Sequence, residues 1–128
     1  MPTLSSFDYA TIRVVPRVER EEFINAGVIL FCRTRRFLGA RIALDRERLA
    51  ALAPSLDLGE VERQLGLIAL ICSGDPAGGP IAELPASGRF HWLVSPRSTV
   101  IQISPVHSGL CQDPGLRVIS ALLTRGEM

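Results

Sequence analysis

Glu22 and Asn25 stand three residues apart at the entrance of an apolar run, and Arg13 lies on the segment before it. Glu22 could act there as a base or as the partner of Arg13, with the Asn25 amide orienting a ligand. The plainer use is an Arg13–Glu22 pair across adjacent strands, with Asn25 satisfying loop backbone. His107 could exchange a proton near neutral pH, but no relay group accompanies it, and organising a loop is the expected role. Ser98, His107 and Glu22 are the residue types of a nucleophilic triad, yet no Gly-x-Ser-x-Gly elbow surrounds any serine, and triads are defined by geometry rather than by inventory. Arg97-Ser98-Thr99 could hold a phosphate through guanidinium and hydroxyl donors.

The remaining chemistry-bearing residues are more scattered. Cys32, Cys72 and Cys111 with His91 and His107 contain zinc-ligand types, but no Cys-x-x-Cys pair anchors them, so no metal is expected and buried, inert thiols are the reading for Cys32 and Cys72. Arg33, Arg35 and Arg36 form the densest basic cluster, flanked by a single aromatic, Phe37. That is narrower than the basic, stacking surface nucleic acid requires. The glycines at 74–79 match neither nucleotide-binding spacing. No cofactor is expected.

The elements that must position these groups can be read from periodicity. Residues 7–15 alternate as a strand does, and Pro16 should end it. The charged stretch 17–22 turns the chain into residues 23–32, apolar on both faces like a central strand. Within that run Asn25 and Gly27 are poor strand formers, the kind of local conflict that marks backbone crowding, a bulge or a site. A tip at 33–36 leads to a third strand over 37–44.

Asp45 is placed to cap a short helix over 46–53, which Pro54 ends. Asp57-Leu58-Gly59-Glu60 has capping-box spacing, and Leu58, Val61, Leu65, Ile68 and Cys72 recur on one helical face. A flexible polar loop is expected over about 73–88, strands over 90–94 and 99–104, with His107 in the loop that follows, and a closing helix over 116–123. These elements predict a single α+β two-layer domain spanning 1–128, a mostly antiparallel sheet with helices packed on one face.

The composition agrees with one core. The chain has 128 residues, 47% of them hydrophobic, with 14 basic against 13 acidic residues and a net charge of +1, so no global field recruits nucleic acid or an anionic membrane. Lysine is absent, which removes Schiff-base chemistry and the usual P-loop lysine. Three unpaired cysteines and the lack of a leader-like or spanning apolar stretch predict a soluble cytoplasmic protein.

Tyr9, Arg13, Val15-Pro16, Glu22-Phe23, Asn25, Gly27-Val28 and Phe31-Cys32, followed by Ser95-Pro96-Arg97-Ser98-Thr99 and Ser104-Pro105-Val106-His107-Ser108-Gly109, resemble the bacterial family catalogued as domain of unknown function 3037. The resemblance covers nearly the whole chain. It implies a binding site formed by the polar family-like positions Arg13, Glu22, Asn25, Arg97, Ser98 and His107, and it implies a HipA-like kinase as a partner. The resulting expectation is a non-enzymatic interaction or regulatory module. The alternative is a small hydrolase or nucleic-acid-processing enzyme in which His107 and Glu22 do acid–base work. An unprotected sheet edge could also pair two copies of the chain as a homodimer.

Overall fold

The computed structural model describes residues 5–17, 22–95 and 100–111. The expected meander forms as β1 (Ser5–Arg17), β2 (Glu22–Cys32) and β3 (Phe37–Ile42). The Arg33–Arg36 tip is a tight turn in which Arg36 adopts a left-handed φ of 52°. Pro16 does not end β1, which runs on to Arg17. The pairing of β1 with β2 becomes irregular between Val14 and Arg17, and this absorbs a residue without an N–H.

Every strand pairing is antiparallel. β1 is the centre of the sheet, with β2 and then β3 on one side. On its other side lie β4 (Ile101–Ile103), against Ile12 to Val14, and β5 (His107–Cys111), against Ser5 to Tyr9. The break between β4 and β5 falls at Ser104-Pro105-Val106. Ser104 N–H donates to the Thr11 carbonyl, while the Ser104 hydroxyl oxygen accepts the Thr11 N–H at 2.8 Å, so a buried side chain fills in for the ladder where Pro105 cannot donate. His107 therefore opens a strand rather than sitting in the loop expected for it.

Helices cover one face of the sheet. α1 (Arg46–Leu52) is capped by Asp45 and α2 (Leu58–Ser73) by Asp57, as their sequences require. The capping box of α2 is only half made, because the Glu60 carboxylate bonds to Arg63 and Gln64 instead of reaching back. Val61, Leu65, Ile68, Ile71 and Cys72 of α2 pack with Leu49 of α1 on Ile12, Val14, Ile24, Ala26, Ile29, Phe31 and Ile101 of the sheet.

Residues 90–94 are helical rather than extended, forming most of α3 (Ala86–Val94). Phe90, Trp92 and Val94 alternate in sequence, but the core takes Phe90 and Leu93, three apart, and Phe90 stacks on Phe31 at 5.1 Å. The polar loop expected over 73–88 is built from a left-handed Gly74 cap, two 3₁₀ turns (Pro76–Gly78 and Pro80–Glu83) and the start of α3. Each turn begins with proline, which suits a first helical position. Arg89 ties the segment down by donating to the carbonyls of Ile71, Cys72 and Leu84 at 2.7–2.9 Å. The helix expected over 116–123 lies outside the described residues.

Candidate functional site

A β-bulge explains the Asn25/Gly27 anomaly. Ile12 faces Gly27, yet the next β1 residue, Arg13, faces Asn25, so Ala26 is an extra residue on β2. The bulge reverses the alternation. Ile29 and Phe31 point to the helices, and so do Ala26 and Ile24, whereas Val28, Leu30 and Cys32 form a separate cluster with Phe7. Asn25 and Phe23 are thereby turned to the face opposite the helices, beside Arg13. Gly27 is required on a second ground, since a Cβ there would collide with the Arg41 carbonyl on β3.

Among the described candidate residues, Arg13 and Asn25 come together as cross-strand neighbours. The Arg13 guanidinium lies over the Phe23 ring, 4.4 Å from its centroid, in cation–π geometry. Arg13 Nε and Asn25 Oδ1 are buried and have no hydrogen-bond partner among the described residues. Among the described residues no ion pair joins Arg13 to Glu22. Glu22 lies at the end of β2 opposite Arg17, and its side chain is exposed. The cross-strand charge pair is thus replaced by a stack of Arg13 on the neighbouring Phe23.

His107 lies elsewhere. It pairs with Tyr9, with ring centroids 5.4 Å apart, four residues along β1 from Arg13. At about 3.3 Å per residue that is ~13 Å from Arg13, and Glu22, opposite Arg17, is ~26 Å away along the strand. His107 and Glu22 cannot act on one substrate atom, because acid–base groups must reach it directly or through one water. Cys111 is four residues from His107 on the same strand, ~13 Å along the backbone. Among the described residues no three His, Cys, Asp or Glu side chains converge. Arg97 and Ser98 lie outside the described residues. Burial pushes the Cys72 thiol up to about 12, against the opposing pull of Arg89, which leaves it a neutral core residue.

The neighbourhood of Glu22 and Phe23 contains a feature that sequence reasoning missed. An open groove of about 620 Å³ separates Glu22, Phe23 and Ile24 at the start of β2 from Arg48, Ala51 and Leu52 of α1. Phe23 and Leu52 are 44% and 39% exposed. The legible signal was on α1, where Arg48, Ala51 and Leu52 fall at i, i+3 and i+4, a second stripe beside the buried Leu49. Arg48 and Glu22 form no ion pair among the described residues. The site therefore offers an apolar floor with one cation and one anion at its margin, and an aromatic-backed guanidinium next to it. Such a surface can bind.

A family profile described as protein of unknown function (DUF3037) matches residues 9–123. No curated protein and no solved structure matches the chain.

Proposed function

Since the chain belongs to the DUF3037 family, whose description carries no activity, we propose from the site's own geometry that the domain is a non-enzymatic protein-interaction or regulatory module. Its partner docks in the groove between the start of β2 and α1. The observation that carries this reading is the open groove between the start of β2 and α1, lined by the exposed Leu52 and bordered by Phe23, which is also exposed. Large exposed apolar groups gathered in a groove and rimmed by charge are a common signature of a docking surface. The separation of His107 from Glu22 weighs against the hydrolase alternative.

The resemblance supplies a HipA-like kinase as the partner to try first. The test is co-expression with such a kinase from the same genome, followed by co-purification and size-exclusion chromatography of wild type and Leu52→Glu. A stable complex with the wild-type chain, weakened about tenfold or more by Leu52→Glu, is the expected result, because burying a charge at an apolar contact costs more than 1 kcal/mol. A complex indifferent to that substitution would place docking elsewhere.

A further inference from the structure

Among the described residues, no strand pairs with one stretch of β2 on its outer side, and the groove lies beside it. β3 pairs with β2 from Cys32 back to Gly27, and the last rung is the Ala43 N–H donating to the Ala26 carbonyl at 2.8 Å. Glu22 to Asn25 continue beyond that point with β1 on one side only.

Strand alternation identifies which backbone groups are open. Thr11 and Val15 spend theirs on the β4 side, through Ser104 and Val100. Val14, out of phase with both, therefore turns to β2, where it faces Ile24. The groups of Ile24 are thus used inside the sheet, and the flanking Phe23 and Asn25 turn their N–H and C=O outward. Four main-chain groups in register form a template for one more strand.

We infer that the groove receives an extended segment of a partner protein, which adds to the sheet as a strand along the Phe23–Asn25 edge of β2. This rests on the docking reading above and specifies its mode. The groove's volume suits a segment of four or five residues. Side chains on one face of that strand would meet Ala51 and Leu52, and are apolar. Arg48, without an ion pair among the described residues, calls for an acidic residue beside them. The occupant is therefore a short apolar–acidic peptide in strand conformation, held by main-chain bonds and selected by alternate side chains.

The test begins with a display library of random heptapeptides selected against the intact protein and counter-selected against Leu52→Glu. Enriched peptides are then synthesised with a single N-methyl group at each successive position. The expected result is an affinity loss of about tenfold at every second position and little change between, since each sensitive N–H makes one main-chain bond. The Phe23 and Asn25 amides should also exchange more slowly in the complex. Peptides that need Leu52 but show no two-residue pattern, or that bind as helices, would overturn strand addition and leave the docking groove standing. A library yielding no binder sensitive to Leu52→Glu would overturn both.

Discussion

At the scale of single residues, the informative positions are those where a small side chain or hydroxyl settles a backbone conflict. Gly27 is one. Any Cβ there meets backbone on β3, which cannot rotate away as a side chain can. Gly27→Ala is expected to destabilise the fold by about 1–3 kcal/mol, measurable as a lower urea midpoint with an unchanged slope. Ser104 is another. Ser104→Ala would leave the Thr11 N–H buried without its acceptor, at a cost of about 1–3 kcal/mol, while Ser104→Thr should retain part of the bond. At Glu60, hydrogen bonds from Arg63 and then Gln64 hold the carboxyl down to about 2, from an ordinary 4.5. A carboxyl depressed on folding contributes stability above its unfolded value, and that contribution is lost as pH falls from about 4.5 towards 2. The group is exposed, so the effect on overall stability is small. The sharper readout is a side-chain NMR titration of Glu60, whose midpoint should return towards 4.5 in Arg63→Gln.

At the scale of elements, legibility followed the strength of the local pattern. β1, β2, the hairpin tip and α2 were readable because their apolar periods are long and their caps chemically explicit, as with Asp57 before Leu58. α3 was not. Over five residues, Phe90-His91-Trp92-Leu93-Val94 fits a two-residue period as well as a helical one, and only packing against Phe31 decides. The segment between α2 and α3 was misread for a related reason. Its glycines and prolines signal a loop, while the group that orders it, Arg89, lies downstream and acts through carbonyls invisible to any pattern. Removing that guanidinium in Arg89→Ala should cost about 1.5–3 kcal/mol, as for a hydrogen-bonded charge. It should also speed amide exchange across 74–84 more than in the sheet, and Arg89→Lys, lacking the planar fork, should restore little. Of the candidate site, the sequence made Arg13 and Asn25 visible as polar residues in apolar strands. Their contact depends on the bulge at Ala26, and the anomaly at Asn25 and Gly27 announced such a device without giving its direction.

At the scale of the whole molecule, the sheet separates two kinds of polar chemistry that the linear sequence invites one to combine. His107 packs at a tilt against Tyr9 towards one end of β1, and Glu22 marks the other. Between them, β1 is paired on both sides at the centre of the sheet. Among the described residues, an open groove lies where β3 stops short of the start of β2 and α1 stands off from it, lined by Leu52 and bordered by Phe23. None of the described helices is long and apolar enough to cross a membrane. The proposed docking at this groove depends on side chains whose exposure allows them to be changed without dismantling the core.

The most direct measurement is a parallel affinity purification of tagged wild type and a Phe23→Ser/Leu52→Glu variant from the bacterium that encodes the protein, quantified by mass spectrometry, with thermal melts to verify that both are folded. One protein should be recovered near stoichiometry with the wild type and be depleted about tenfold or more with the folded variant. Equal recovery with both chains, or no partner with either, would contradict docking at this groove.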